Sequence, residues 1–123
     1  MTAGLALALR AAAAGILPGE AGTALLIDSG AFLHRAGFAG PFTRTAPSLT
    51  DGTPLAWIDW EPALSALNAG QIPASSGEKN ILRIAASLAA GTPVSLRDTV
   101  PGLDHRNLHL VTTAIRHAAG HLP

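Results

Sequence analysis

The final third of the sequence, residues 75–120, carries helix-start and helix-stop signals at such regular spacing that it favours three consecutive helices. Ser75 and Glu78 form a capping box, in which a hydroxyl and a carboxylate satisfy two backbone N–H groups at the start of a helix. Gly91 stands where a residue in the left-handed conformation commonly ends a helix. These signals predict a helix from Ser75 to Ala90.

Two further helices follow from the same kind of signal. Ser95 and Asp98 repeat the capping pattern for a short helix that ends at Pro101-Gly102. Asp104 is the expected N-cap of the last helix. Apolar residues then recur at alternating steps of three and four, at Leu108, Val111, Ile115, Ala118 and Leu122. We therefore predict a C-terminal trihelical, helix-turn-helix-like unit in which Leu108, Val111 and Ile115 face the core.

The first half of the chain has weaker signals. The alanine-rich residues 5–17 are expected to form a short helix that Gly15 helps to end. A second helix is predicted over residues 19–35, with Gly37 as its terminator, because leucines and a phenylalanine return at helical spacing. Residues 44–54 are rich in Thr, Ser, Gly, Asp and Pro, which is typical of a flexible, turn-rich connection.

One segment, residues 55–60, is short and bulky enough to be a strand. Because a lone strand is not stable, its partner is expected nearby, either around residues 42–43 or around residues 71–72. Asp59 is predicted to cap the helix that follows. The whole chain, residues 1–123, is thus predicted to be a single, compact, mainly α domain with one short strand or hairpin near residues 55–60.

The composition fits one domain and argues against several classes of function. Lys plus Arg and Asp plus Glu number eight each, so no overall field attracts nucleic acid or an anionic membrane. The chain has no cysteine, which excludes disulfides, thiolate metal sites and thiol nucleophiles. The apolar N-terminal run lacks a positive flank and contains Arg10. We therefore expect a cytoplasmic protein with neither a signal peptide nor a membrane span.

The polar face of the last helix is the main candidate for a binding surface. With the apolar stripe buried, six residues are expected to point outward: His105, Arg106, His109, Thr112, Thr113 and Arg116. Arginine, histidine and threonine contact phosphates and base edges in helix-turn-helix proteins, and Arg97 lies on the preceding short helix. From Ser75 onward, however, five Lys or Arg stand against three Asp or Glu. This small basic excess makes DNA binding the alternative and not the leading prediction.

No arrangement of residues predicts a reaction. His105 and His109 lie one helical turn apart, as do His117 and His121, but a zinc site normally needs a third ligand and none is evident. The sequence contains neither a G-x-x-x-x-G-K-[ST] phosphate-binding loop nor a G-x-S-x-G nucleophile elbow. We expect no metal and no cofactor, and an enzyme of unknown reaction ranks third among the functions.

The aromatic residues suggest one further contact. Trp57 and Trp60 lie on opposite faces if residues 55–60 form a strand, so an edge strand is expected to expose one of them. Indoles are enriched both in cores and at protein interfaces. Trp60 is therefore a candidate anchor for a protein partner.

Several segments form a pattern when they are taken together. They are Phe32-Leu33-His34-Arg35 with Phe38, Leu55 to Trp60, Ser75-Ser76-Gly77-Glu78 with Ile81 to Ala89, and Val94-x-Leu96-Arg97-Asp98 with Gly102-Leu103-Asp104-x-x-Asn107. From about residue 24 to the end, the pattern resembles a family of small, uncharacterised actinobacterial proteins. Because that family has no assigned activity, the resemblance implies a compact, autonomous domain and no catalytic residues.

The favoured function is non-enzymatic binding of a protein partner, including a second copy of the chain. A DNA-binding face requires Arg97, Arg106, His109 and Arg116 to form one exposed surface. It also predicts an affinity that falls steeply with salt. A protein-binding face requires instead an exposed apolar patch, which we expect around Trp60 or Leu110.

Overall fold

The computed structural model describes residues 2–121, which form seven α-helices and one two-stranded antiparallel sheet. The helices are α1 (Thr2–Ala13), α2 (Leu17–Ser29), α3 (Ala36–Phe42), α4 (Trp60–Asn68), α5 (Ser76–Ala90), α6 (Leu96–Thr99) and α7 (His105–Ala118). The strands are β1 (Thr43–Pro47) and β2 (Pro54–Ile58), and a 3-10 turn over Val100–Gly102 joins α6 to α7. The predicted compact, mainly α domain with one hairpin is confirmed.

Helix α2 is the element against which most of the domain packs. Helices α5 and α7 lie along it, and α1 contacts both α2 and β2. The core consists mainly of alanine, leucine and isoleucine side chains, with Phe32 and Phe38 as its largest fully buried members. Because so many of these side chains are small, the helices can approach one another closely.

Gly22 is a point of close approach between α2 and α5. A β-carbon at this position would lie 2.5 Å from the carbonyl oxygen of Ala85 and 2.8 Å from the β-carbon of Ala89. Contacts this short are repulsive, so any larger residue forces the two helices apart. The absence of a side chain at Gly22 therefore sets the distance between α2 and α5.

The apolar N-terminal segment forms α1. Ala8 and Leu9 are buried against the rest of the domain, whereas Leu7 is exposed. Arg10, which interrupts the apolar run, pairs through Nη2 with Oδ1 of Asp28 on α2 at 3.2 Å. Within residues 2–121, none of the helices combines the length and the apolar composition of a membrane-spanning segment.

Helix α2 ends earlier than its leucine spacing predicts. It stops at Ser29 and not at Arg35, because Gly30 adopts a φ of 69° and its N–H donates to the carbonyl oxygen of Ile27. Residues 31–33 are still buried, since the chain turns back over the core after the helix. These residues are therefore apolar because they are buried, although they do not belong to a helix.

The hairpin uses part of the segment that was predicted as a flexible connection. Residues 44–47 lie in β1, which pairs with β2 in the register Arg44↔Trp57 and Thr45↔Ala56. The partner strand was predicted either around residues 42–43 or around residues 71–72. The first position is correct, because Thr43 begins β1 and lies opposite Ile58. Residues 48–53 form the loop that joins the strands.

A proline at the end of each strand made this segment look like a turn-rich connection in the sequence, yet both prolines fit the hairpin. Pro47 lies directly opposite Pro54 at the end of the hairpin. The next pair, Ser48 and Thr53, is hydrogen bonded through the Ser48 N–H at 2.8 Å. Since hydrogen-bonded and non-hydrogen-bonded pairs alternate in an antiparallel ladder, neither proline occupies a position that needs an N–H donor.

Asp59 is the N-cap residue of α4, as predicted, but its carboxylate accepts no hydrogen bond from that helix. Its Oδ2 instead pairs with Nε of Arg44 at 2.9 Å. Arg44 lies on β1, so this ion pair joins the hairpin to the start of α4. It is largely exposed and contributes little stability.

The predicted caps of the C-terminal helices are present. The Glu78 N–H donates to Ser75 Oγ at 3.2 Å, and the Ser75 N–H donates to Glu78 Oε1 at 2.9 Å, which completes the capping box. The Asn107 N–H donates to Asp104 Oδ1 at 2.7 Å. Gly91 ends α5 in the left-handed conformation. These bonds form because each donor and acceptor lies within four residues of its partner.

Candidate functional site

Helix α7 packs on α2 with a face that differs from the predicted one. Val111 and Ala114 are buried, and three neighbours are half-buried: Leu110, His117 and Ala118. Leu108 and Ile115, however, are 43% and 49% exposed. The prediction that the whole apolar stripe faces the core is confirmed for Val111 and is wrong for Leu108 and Ile115.

Polar contacts near both ends of α7 account for this orientation. Arg106 donates from Nη2 to the carbonyl oxygen of Asp28 at 2.9 Å and from Nη1 to that of Ser29 at 3.3 Å. Nε2 of His117 lies 2.8 Å from Oε1 of Glu20. All three partners belong to α2. These contacts hold the side of α7 that carries Arg106 and His117 against α2, and helical geometry places Leu108 and Ile115 on the opposite side.

The other predicted surface residues of this region are exposed. They are Arg97, His105, His109, Thr112, Thr113 and Arg116. Thr113 lines a cleft between α1, α2 and α7, whereas Thr112 lies on the same side of the helix as Leu108 and Ile115. Arg106 is also exposed, but its guanidinium group binds the last carbonyl groups of α2. The exposed polar residues of α7 therefore lie along one side of the helix, from Thr112 next to Leu108 round to Thr113 at the cleft.

Exposed large apolar side chains occur on α7 and in the segment just before it. Nine such residues occur in the part of the chain that the structure describes, and four of them lie between residues 96 and 115: Leu96, Val100, Leu108 and Ile115. Leu96 and Val100 are 56% and 40% exposed. The apolar patch was expected around Trp60 or Leu110, but both of these are half-buried. Exposed apolar side chains that lie side by side, as Leu108 and Ile115 do on one face of α7, are typical of an interaction surface.

Thr112 completes a continuous strip on this side of the helix. Its hydroxyl group donates to the carbonyl oxygen of His109 at 3.0 Å. If another surface covered Thr112, the hydroxyl would therefore keep a hydrogen bond, and covering it would cost little. We refer to Leu108, Thr112 and Ile115 together as the α7 flank.

The two tryptophans differ in accessibility. Trp60 begins α4 and packs against the core, so it is less suited to be a partner anchor than the sequence predicts. Trp57 lies on β2 opposite Arg44 and is 43% exposed. Both side chains line a cavity of about 200 Å³ between the hairpin, α1 and α2.

The pair formed by Glu20 and His117 is a contact that sequence analysis missed. Besides its bond to His117, Glu20 accepts a hydrogen bond at Oε2 from the Gly15 N–H at 2.6 Å. These two hydrogen bonds, that of His117 above all, hold the pKa of Glu20 below its usual value. Glu20 and His117 are 97 positions apart, so no local pattern could have paired them.

A small cavity of about 140 Å³ lies beside this pair and is also lined by Arg10 and Thr23. It is smaller than the clefts that bind most organic ligands. The other histidines do not assemble into a metal site. Across residues 2–121, no three His, Cys, Asp or Glu side chains come together in an arrangement that could hold a metal ion. The main role of the Glu20–His117 contact is to attach α7 to α2.

No protein-family model, curated protein sequence or solved structure matches this chain. The resemblance to a small actinobacterial family therefore stays a prediction.

Proposed function

We propose that this chain is a protein-interaction module that self-associates through the α7 flank. The observation that carries the proposal is the exposure of Leu108 and Ile115, seven positions apart on one side of a 14-residue helix. Aliphatic side chains at this spacing form a stripe that a second helix can cover. Covering it is favourable because burial of apolar surface contributes about 25 cal/mol per Å².

A second copy of the chain fits this surface by symmetry. Consider two antiparallel α7 helices related by a two-fold axis near Thr112. Leu108 of each copy then lies against Ile115 of the other, and Thr112 lies against its own counterpart. An isologous contact of this kind uses the same patch twice and closes as a dimer.

The size of the surface indicates a weak dimer. Stable interfaces bury about 800 Å² on each partner, which is more than two side chains can supply. Leu96 and Val100, in the segment just before α7, provide further exposed apolar area. We therefore expect a dissociation constant in the micromolar range or weaker.

The charges around the α7 flank predict how the dimer responds to solution conditions. Helix α7 contains no carboxylate, and His105, His109 and Arg116 are exposed on its outer side. With the two-fold axis near Thr112, Arg116 of one copy lies beside His109 of the other, and α7 supplies no carboxylate to pair with either. An added salt such as sulfate should therefore strengthen the dimer, because the contact has no ion pair to screen and sulfate favours the burial of apolar surface.

DNA binding is the second candidate. The exposed side chains of Arg97, His109 and Arg116 support it, because such groups contact phosphates and bases. The contacts of Arg106 with α2 weigh against it, as does the apolar character of the α7 flank. The two candidates predict opposite responses to salt, since phosphate contacts weaken steeply as salt rises.

Sedimentation equilibrium of the purified protein distinguishes these candidates. The samples span about 1 μM to about 1 mM protein at low and high salt, with and without random duplex DNA. The double variant Leu108→Gln/Ile115→Gln removes the apolar stripe and leaves the buried Val111 in place. The matched control is Leu7→Gln/Leu49→Gln, because both of these residues are exposed and lie outside α7.

We expect the wild-type protein and the control variant to form dimers that tighten with salt, and the α7 variant to stay monomeric. A wild-type protein that is monomeric at every concentration contradicts the proposal. Binding to duplex DNA that weakens with salt would replace it with the second candidate.

A further inference from the structure

A cavity of about 520 Å³ lies on another side of the molecule, between the start of α3, residues 71–75 and the first turn of α5. Its volume falls within the range of pockets that bind small molecules. Phe38, Ile72 and Ala74 contribute apolar lining, and Arg35 and Glu78 contribute charged groups. The cavity thus combines apolar surface with a few convergent polar groups, which is typical of ligand sites.

Arg35 and Glu78 are held in position by several contacts. Nη2 of Arg35 donates to Oε2 of Glu78 at 3.1 Å, and Nη1 donates to the carbonyl oxygen of Pro73 at 3.0 Å. The guanidinium carbon lies 5.6 Å from the centre of the Phe32 ring. Glu78 is also fixed by the capping box with Ser75. The two charged groups are therefore oriented before any ligand arrives.

The pair retains unused hydrogen-bonding capacity. A guanidinium group has five N–H donors and a carboxylate has about four acceptor sites, and the contacts named above use two of each. The side chains of Arg35 and Glu78 are 36% and 29% exposed, so a ligand can reach them. Together they present a donor beside an acceptor with no net charge.

Glu78 also stays ionised near neutral pH. The hydrogen bond from the Ser75 N–H, with the Arg35 guanidinium group as a further cause, lowers the pKa of Glu78. Its carboxylate can therefore accept a hydrogen bond but cannot donate one. Gln71, which is exposed at the rim, adds an amide group that can do both.

We infer that this cavity binds a small, neutral, ring-containing molecule with an acceptor and a donor side by side on its edge, such as a carboxamide or a lactam. The carbonyl oxygen of the ligand accepts from Arg35, its N–H donates to Glu78, and its ring lies against the apolar lining. An anion is repelled by Glu78 and a cation by Arg35, so neither charge is favoured. The site is separate from the α7 flank and does not depend on self-association.

Gly37 provides a way to fill the cavity without disturbing the fold. It lines the cavity and lies on α3, and a β-carbon at this position meets no atom within 4 Å. In Gly37→Leu, the new side chain occupies ligand space, and leucine is a better helix former than glycine. The matched control is Gly4→Leu, because Gly4 also lies on a helix, is equally unobstructed and does not line the cavity.

Ligand-observed NMR with three probes near pH 7 tests the inference. Nicotinamide, nicotinate and 3-(aminomethyl)pyridine share one ring and carry a neutral, an anionic and a cationic group. We expect nicotinamide to bind with a millimolar dissociation constant, and the two charged probes to bind at least about tenfold more weakly. Gly37→Leu should abolish nicotinamide binding, and Gly4→Leu should leave it unchanged.

Amide chemical shifts of the wild-type protein give a second readout that does not depend on a variant. Nicotinamide should move the signals of residues 35–38 and 71–78 and leave those of α7 in place. The inference is overturned by any of three results: no binding of nicotinamide, equal binding of all three probes, or shifts located elsewhere. Undiminished binding by a folded Gly37→Leu variant overturns it as well.

Discussion

Helices α5 and α7 have similarly regular apolar stripes in sequence but very different surroundings in the fold. Helix α5 packs against α2, α4, α7 and the 3-10 turn, and Ile81, Leu82 and Ile84 are all buried. Helix α7 packs mainly on α2 and leaves Leu108 and Ile115 exposed. An apolar stripe thus indicates which residues favour leaving water, but not which neighbour covers them.

This difference is the basis for the proposed function. The face of α7 that α2 covers is narrower than the apolar stripe, because the contacts of Arg106 and His117 turn the helix toward one side. Val111 and Ala114 are buried, and the remainder of the stripe has no covering element among residues 2–121. In the proposal, the remainder is covered by the second copy.

The largest expected effect is the difference in stability loss between a truncation in the apolar stripe of α5 and the same truncation in the stripe of α7. Leu82→Ala should lower the free energy of unfolding by about 4 kcal/mol, because Leu82 is fully buried and its truncation leaves a cavity. Leu108→Ala removes the same atoms from a half-exposed site and should cost less than about 1 kcal/mol. Urea denaturation at a protein concentration below that of dimer formation measures both. Equal losses would mean that α7 is as enclosed as α5.

A slightly smaller effect is expected where α5 meets α2. Gly22→Ala introduces one carbon against the Ala85 carbonyl oxygen and should cost about 3 kcal/mol. Gly4→Ala is the matched control, since its new β-carbon meets open space and should stabilise α1 by up to about 1 kcal/mol. Thermal denaturation of the two variants checks this contrast. A neutral Gly22→Ala would show that the α2–α5 contact is looser than described.

The caps of the two helices should respond alike, because capping is local and does not depend on burial of the stripe. Ser75→Ala at the start of α5 and Asp104→Ala at the start of α7 should each lower the free energy of unfolding by about 1 kcal/mol. Urea denaturation of both variants in one buffer gives the comparison. A much larger loss for Ser75→Ala would indicate that Ser75 supports more than the helix start.

The smallest expected effect concerns pH and the attachment of α7 to α2. The pKa of Glu20 in the folded protein lies below its ordinary value of about 4.3, so the unfolded chain binds more protons between the two values. The stability that Glu20 contributes is present above pH 4.3 or so and is lost as the pH falls through the folded pKa. Glu20→Gln should therefore show a smaller loss of stability between about pH 6 and about pH 3 than the wild type. Superimposable pH profiles would assign the acid sensitivity to other groups.

The sequence predicted the helix caps of the C-terminal region, but it did not predict the rotation of α7 about its own axis, which leaves Leu108 and Ile115 exposed. The capping box at Ser75 and the N-cap at Asp104 involve neighbours in sequence, so their residue types suffice. The rotation depends on contacts of Arg106 and His117 with α2, which lie 77 or more positions away. Local periodicity contains no information about such contacts.

In the N-terminal half, too, the sequence did not show which distant segments contact each other. A strand was predicted over residues 55–60, and β2 spans Pro54–Ile58, but its partner β1 was assigned to a flexible connection because of its threonines and Pro47. Only the pairing register shows that Pro47 occupies a position that needs no donor. Arg35 and Glu78, which line the cavity of about 520 Å³, are 43 positions apart and were likewise not paired in advance.

The proposed dimer can be tested at its symmetry axis because the chain has no cysteine of its own. Under mild oxidation, Thr112→Cys should form a disulfide-linked dimer, since the two-fold arrangement places this position against its counterpart. Thr113→Cys, one residue further along α7 and facing the cleft with α1, should stay monomeric. Equal cross-linking of the two variants, or none for Thr112→Cys at concentrations where the wild-type protein dimerises, would contradict self-association through the α7 flank.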